Sequence, residues 1–430
     1  MFREIVQAIA DDIAEGRLEV GARLPPHRDL ADHLGVARGT VARAYTEAAK
    51  LGLVESVVGR GTRVLAADGS DRRYASLLEA PTVLGDLSMN LPLSGIDPDP
   101  GDVLRRLAER PDRRSLLRYH PPGGIGRHRM AGVEWLARLG VTATVDDVLL
   151  AAGAQHALFV LFAHLAPRGS ALYVEELTYP GLHGIAETLS LELVPVAMDA
   201  EGMDPDDLAR IARKRGKGTV YLMPTIHNPV GGVMSAARRS AIAEVMRTRD
   251  LYLVEDAANH MLAKRTPPPL AMFAPERSFL VASVSKVLAP GLRIAFVTGP
   301  TSELPAISRR VWATQWMVGP IGAEMVAMWL EEGVVDRTVK KKRREALRRQ
   351  TIVEQIFGKR RVTAHPDALH AWIALSRPWH PQRHEIVVTP ASAFWARTTP
   401  APNAVRIALG GIEKVAALER ALALLANTLH

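Results

Sequence analysis

Between residues 148 and 297 the chain repeats one pattern: a short, wholly apolar run ending in polar or glycine residues. The runs are Val148–Ala151, Ala171–Val174, Val220–Met223, Leu251–Val254, Phe279–Ala282 and Ile294–Val297. A strand that is apolar throughout must be covered on both faces, as the strands of a parallel sheet are. Stretches with helical periodicity separate most of these runs. The pattern therefore predicts an α/β domain with a mostly parallel sheet between two layers of helices. In such a sheet ligands bind beyond the C-terminal ends of the strands.

Those ends are unusually polar. Gly153-Ala154-Gln155 follows the first run and opens a helix, whose free N–H groups suit a phosphate. Thr178-Tyr179-Pro180 follows the second, His227-Asn228-Pro229 the third, and Glu255-Asp256 the fourth. The fifth ends in Ser283-Val284-Ser285-Lys286, with Arg293 seven residues on. A lone lysine after a strand is usually a surface residue. A lysine in company with an acid, an amide and phosphate-binding groups is what pyridoxal phosphate requires: an amine for a Schiff base and a carboxylate for the pyridinium nitrogen.

Upstream the pattern changes. Ile5, Ile9 and Ile13 recur every four residues and mark a helix. Leu24-Pro25-Pro26 is extended, since a residue before proline avoids the helical region. A short helix from Arg28 to Leu34 stops at Gly35, and a third runs from Arg38 to about Leu51. Two strands around Gly59-Arg60-Gly61 follow. Three helices and a hairpin make a winged helix-turn-helix whose third helix would enter a major groove. Arg28, Arg38, Thr40 and Arg43 are placed to meet DNA, and Arg60 at the wing tip suits a phosphate or the minor groove. The plainer alternative is a small helical accessory domain with exposed arginines. Residues 67–88 read as a polar linker.

The whole chain, at 430 residues, is too long for one ordinary domain. The division expected is 1–66 for the winged helix, 67–88 for the linker and 89–430 for the sheet domain, with a small C-terminal α/β portion from about 305. No cysteine is present, which excludes disulfides and thiolate metal sites. No pair of histidines has metal-ligand spacing, so no metal is expected. The longest apolar runs, such as Ala157 to Leu165, fall short of the roughly 20 residues a bilayer requires. Met1-Phe2-Arg3-Glu4 begins a helix rather than a basic, apolar leader, so no membrane partner and a cytoplasmic location are expected. The net charge of +8 fits a nucleic-acid partner, yet the first 65 residues are balanced in charge. The densest basic run, Lys340 to Arg344 with Arg348 and Arg349, reads as the solvated face of a helix.

Two resemblances are specific. Leu24-Pro25-Pro26-His27-Arg28-Asp29-Leu30-Ala31, Leu34-Gly35-Val36-Ala37-Arg38-Gly39-Thr40-Val41 and Gly59-Arg60-Gly61-Thr62 resemble the GntR family DNA-binding domain, although His27 stands where that family usually has Ser. Ser283-Val284-Ser285-Lys286-Val287-Leu288-Ala289-Pro290-Gly291-Leu292-Arg293 resembles fold-type I PLP-dependent aminotransferases. Together they resemble the MocR subfamily of GntR regulators. By that resemblance Lys286 forms the internal aldimine with pyridoxal 5'-phosphate and Asp256 pairs with the ring nitrogen. Asn228 bonds O3′ and Tyr179 stacks on the ring. Ser283, Arg293 and the backbone of Ala154 and Gln155 hold the phosphate. Tyr119 reaches the phosphate of the other subunit of a homodimer, and Arg406 clamps an effector carboxylate. One departure stands out: Asn259 sits where many relatives have a tyrosine that also bonds O3′. The resemblance implies a regulator that binds operator DNA and senses an amino compound or a B6 vitamer. A working aminotransferase with an accessory N-terminal domain, and a DNA-binding protein with a repurposed pocket, are the alternatives.

Overall fold

The computed structural model describes residues 2–14, 17–18, 22–50, 53–57, 61–64, 85–377, 379 and 386–428. The chain forms two compact units, 1–82 and 83–430.

In the first unit α1 (Phe2–Ala14) buries Ile5, Val6 and Ile9. Helix α2 (His27–Leu34) follows Pro26 and ends at Gly35, whose φ of 65° lets its N–H turn back to Ala31 O. Helix α3 (Arg38–Lys50) turns Val41, Ala44, Tyr45 and Ala48 inward at helical spacing. Strands β1 (Val54–Val57) and β2 (Gly61–Val64) pair antiparallel, and Arg23 bridges Arg63. Tyr45 Oη donates to Pro25 O at 2.8 Å, tying α3 to the segment before α2. His27 meets the Tyr45 ring edge-on at 4.9 Å, and no side chain caps α2. The residue that replaces the usual serine therefore packs on α3 instead of capping α2. Arg60 and most of the expected linker, 67–84, lie outside the described residues.

The second unit begins with β3 (Gly85–Asp86), then α4 (Pro100–Glu109) and α5 (Gly126–Ala137). Alternating elements follow: β4 (Leu149–Ala151), α6 (Gly153–Leu165), β5 (Ala171–Glu175), α7 (Gly181–Leu189) and β6 (Glu192–Val196). A two-residue hairpin, β7 (Met198–Asp199) and β8 (Gly202–Met203), leads to α8 (Pro205–Arg215), β9 (Gly218–Leu222), α9 (Ala236–Arg249) and β10 (Tyr252–Asp256). Strands β11 (Ser278–Ser283) and β12 (Ala295–Thr298) complete the large sheet. Its order is β4-β12-β11-β10-β9-β5-β6, with β12 antiparallel to both neighbours and the other pairings parallel. One apolar core lies on each face: Trp135, Ile242 and Met246 on one, Leu158, Phe162 and Ile185 on the other. The six predicted runs are all strands of this sheet.

Helices α10 (Leu304–Gln315), α11 (Pro320–Glu331) and α12 (Val334–Phe357) follow. The expectation that the small portion starts near 305 needs correction. Leu304, Ile307 and Val311 join one core of the large sheet, and Val326, Val335 and Val339 join the other. The small layer has its own core only from Ile352 and Val353 onward. It comprises β13 (Val362–Thr363), β14 (His370–Ala374), β15 (Ile386–Val387), β16 (Thr389–Pro390), β17 (Ala404–Ala408) and α13 (Val415–Thr428), with sheet order β13-β14-β17-β16. It also includes residues before 89: β3 pairs in parallel with β15, and fully buried Leu87 belongs to its core. Gly410 lies so close to the segment after β3 that a Cβ there would stand 2.0 Å from Leu91 O.

The basic run on α12 also departs from expectation. Lys340, Lys341 and Arg344 are exposed, but Lys342 and Arg349 are buried. Lys342 Nζ donates to Lys286 O at 3.3 Å and Leu288 O at 3.2 Å and pairs with Asp97. Arg349 donates to Ile412 O and Glu413 O, both at 2.7 Å. A long helix wedged between two layers has two inward faces, and carbonyls at loop ends take up the cations that fall on them.

Candidate cofactor site and DNA-reading face

Asp256 ends β10 and is 4% exposed. Its Oδ1 accepts from Ala258 N at 2.9 Å and its Oδ2 from Tyr221 Oη at 3.2 Å. Burial raises its pKa, while those two bonds and the Lys286 charge pull it back. Lys286 lies in the loop after β11, and its Nζ donates to Asn90 O. Burial lowers the amine to about 8, helped by the Arg406 charge and opposed by Asp256. A lysine that sheds its proton this readily is a competent nucleophile toward a carbonyl.

Arg406 projects from β17 and is 5% exposed. It donates to Asn228 Oδ1 at 3.2 Å, to Thr389 Oγ1 at 3.0 Å and to Ser88 O, and its guanidinium carbon lies 5.1 Å from the Phe394 ring centre. Burial lowers its pKa to about 10, so it keeps its charge at neutral pH. Its Nε is buried without a partner. Asn90 donates to His370 Nδ1 at 3.3 Å, and His370 Nε2 donates to His227 O at 3.0 Å. Burial holds His370 near 3, hence neutral, which fits both bonds. His227 Nε2 lies 2.9 Å from Glu175 Oε2, and His260 Nδ1 lies 3.1 Å from Thr225 Oγ1. Both histidines are therefore held in the surrounding structure.

The expected phosphate groups also converge. Gly153, at the start of α6, has φ of 79°, and a Cβ there would stand 2.5 Å from Arg293 Nη2. Arg293, itself at φ of 52°, donates to Ala152 O at 3.2 Å. Its charge thus sits at a helix N-terminus where the N–H groups of Ala154 and Gln155 begin the helix. Ser283 Oγ accepts from Ser285 N at 3.2 Å at the end of β11. Gln155 Nε2 donates to Gly181 O at 3.1 Å, beside the Tyr179 ring.

Buried polar atoms test whether these residues fit pyridoxal phosphate. Arg406 Nε, Asn90 Oδ1 and Gln155 Oε1 are buried without partners, an arrangement that costs free energy unless a ligand supplies them. Two cationic groups, one acid and a helix N-terminus suit a ligand with a phosphate, a ring nitrogen and a carboxylate, so the residues fit. Asn259 does not take the missing tyrosine's place, because its Nδ2 donates to Ile226 O at 2.8 Å. Tyr119 is 78% exposed and stacks on Trp316 at 5.0 Å, outside its own chain's pocket. Sequence reasoning missed Ser88, Asn90, Thr389, Tyr221 and Lys342. None lies in a specific motif; Ser88 falls in the stretch read as a linker, and Asn90 just after it.

On the winged helix, Arg38 and Arg43 are exposed and Thr40 is half-buried. Arg28 is exposed, with its Nε 3.9 Å from Asp32 Oδ2, and Arg43 lies over the Phe2 ring at 4.3 Å.

Residues 85–423 match the family Aminotransferase class I and II, and residues 2–64 match Bacterial regulatory proteins, gntR family. The uncharacterized HTH-type transcriptional regulator YdeF of Bacillus subtilis is 28% identical over 100% of this chain and 94% of its own. The HTH-type pyridoxine biosynthesis transcriptional regulator PdxR of Corynebacterium glutamicum is 26% identical over 83% of this chain and 78% of its own. An archaeal alanine:glyoxylate aminotransferase shares the fold with a TM-score of 0.74 at 20% identity, over 84% of this chain and 94% of its own. The chain belongs to the aminotransferase class I and II family, carried behind a GntR-type DNA-binding domain in the manner of the MocR regulators.

Proposed function

We propose that this transcriptional regulator binds pyridoxal 5'-phosphate through a Schiff base at Lys286 and changes its hold on operator DNA when a B6 vitamer or an amino compound occupies the site. The observation that carries the reading is the constellation of half-buried Lys286 with buried Asp256, Asn228 and Arg406, and the three unpartnered polar atoms around it. The bound cofactor would supply an electrophilic carbonyl and an electron-withdrawing ring. The chain's own part is to present a lysine that loses its proton readily, anchor the ring nitrogen at Asp256, seat the phosphate at Arg293, Ser283 and α6, and hold a carboxylate at Arg406. Vitamer sensing is favoured by the similarity to PdxR, whose name ties it to pyridoxine biosynthesis. Exposed Tyr119 suits a homodimer in which it meets the partner's phosphate. Arg28, Arg38, Thr40, Arg43 and Arg60 are assigned to DNA.

Turnover as an aminotransferase is the second reading, and the complete set of lysine, acid and arginine favours it. Asn259 opposes it, since an amide committed to Ile226 O supplies no phenol at O3′.

The test is operator binding by the loaded protein, titrated with pyridoxal phosphate and with carboxylate-bearing amines. Affinity must depend on one of them, because a ligand acts only through unequal affinity for two states. Arg406→Ala should erase a response to a carboxylate amine while the protein keeps its colour. An unaltered dose–response would exclude the clamp, and steady keto-acid production would promote the enzyme reading.

A further inference from the structure

Tyr221 stands on β9, one strand from β10, where it is paired with Val254. It is 1% exposed, and its ring packs edge-on against Phe162 at 6.3 Å. Its hydroxyl donates to Asp256 Oδ2 at 3.2 Å. No motif contains it, and the resemblance assigns it no role. That resemblance leads one to expect a phenol at residue 259, on the O3′ side of the ring. The structure puts an amide there, turned to Ile226 O, and sets a phenol behind the carboxylate instead.

We propose that Tyr221 is a positioning residue that fixes Asp256 as the partner of the cofactor's ring nitrogen and so keeps that ring electron-withdrawing. This rests on the reading of the site as one for pyridoxal phosphate. Asp256 has two oxygens, both on a buried carboxylate. The Ala258 N–H holds one, and the Tyr221 hydroxyl holds the other. Burial alone drives Asp256 toward protonation, and a protonated Asp256 would leave the ring nitrogen neutral. A hydrogen bond donated to the charged carboxylate favours the anion, and the shared proton then resides on the ring. Burial, reinforced by the Asp256 charge, keeps the Tyr221 phenol protonated well above its ordinary range, so it acts as a donor at every working pH. A bound ring protonated at its nitrogen would withdraw electrons and lower the pKa of an imine formed at Lys286. Loss of the Tyr221 hydroxyl should therefore be read at Lys286, across the ring from the change.

The experiment loads full-length wild type, Tyr221→Phe, Asp256→Asn and the double variant with pyridoxal phosphate and titrates the visible band against pH. Tyr221→Phe keeps the ring and its packing. It should colour, melt close to wild type, and move the midpoint upward by roughly half to one unit, the size of one net hydrogen bond. Asp256→Asn should move it further in the same direction, and the double variant should match Asp256→Asn alone, because a hydroxyl that acts through Asp256 has nothing to act on without it. An unmoved midpoint in Tyr221→Phe, or additive shifts in the double variant, would overturn the assignment while leaving cofactor binding intact. A wild-type protein that never colours would overturn the cofactor reading and this inference with it.

Discussion

The two units present their functional side chains in opposite ways. On the winged helix Arg28, Arg38 and Arg43 stand in solvent. In the aminotransferase-like unit Asp256 and Arg406 are buried and Lys286 is half-buried, and each is displaced from its ordinary pKa. The difference follows from the ligands expected. A duplex is a dense line of charge in water, and solvated arginines meet it by releasing counterions. A small molecule with one reactive carbonyl needs an amine that gives up its proton easily, and burial favours that. The first site is thus sensitive to salt and tolerant of small displacements, whereas the second is sensitive to pH and intolerant of them.

That contrast can be broken most sharply at Lys286. Lys286→Ala should lose the visible band of bound cofactor entirely, yet bind DNA as the cofactor-free wild type does. A coloured Lys286→Ala protein would end the Schiff-base assignment.

The next largest effect is in the pH dependence of cofactor capture. Attack on the carbonyl needs the neutral amine, and the Lys286 pKa is lowered to about 8. Below that value the neutral fraction falls tenfold per unit. Above it the amine is already free. Stopped-flow capture rates should therefore rise with pH and level off near 8. A rate still climbing tenfold per unit at pH 10 would mark an ordinary, solvated lysine.

Gly153→Ala comes third. It puts a Cβ at a φ of 79° and against the Arg293 guanidinium. Displacing that guanidinium removes a charged hydrogen bond to phosphate, about 1.5–3 kcal/mol of cofactor affinity. Equilibrium titration should show the loss with operator affinity unchanged; a cofactor affinity equal to wild type would remove Arg293 from the phosphate site. The smallest effect belongs to the exposed unit. Arg38→Ala should cost roughly 1–3 kcal/mol of operator affinity if it reads a base. Anisotropy measured over a salt series separates this from a phosphate contact, which would weaken all sequences alike and flatten the salt slope.

Much of this was legible in the residues, for identifiable reasons. The six apolar runs of the large sheet are covered on both faces, and that pattern is unambiguous. Strand β6 gave no such signal: Pro195 interrupts it, and it lies at the sheet edge, where a proline is tolerated. Lys286, Asp256, Asn228 and Arg293 were visible because each stands directly after a strand or in a specific motif. Ser88 was not, because it acts on Arg406 through a backbone carbonyl that any residue would supply, and Asn90 was not, because its contacts to Lys286 and His370 join residues 196 and 280 positions apart. Lys342 hid within a basic run whose neighbours are solvated, and only the packing of α12 shows which way it turns.

The pairing of β3 with β15 has a practical corollary for anyone dissecting this chain. A fragment cut at residue 89 would shed the first strand of the small layer, leave the Leu87 socket vacant, and strip Arg406 of its bond to Ser88 O. The guanidinium proposed to receive a carboxylate would then be loose at one end. The ligand-binding half is self-sufficient only when the cut falls ahead of Gly85, so the last residues of the tether serve as part of the vessel they lead to.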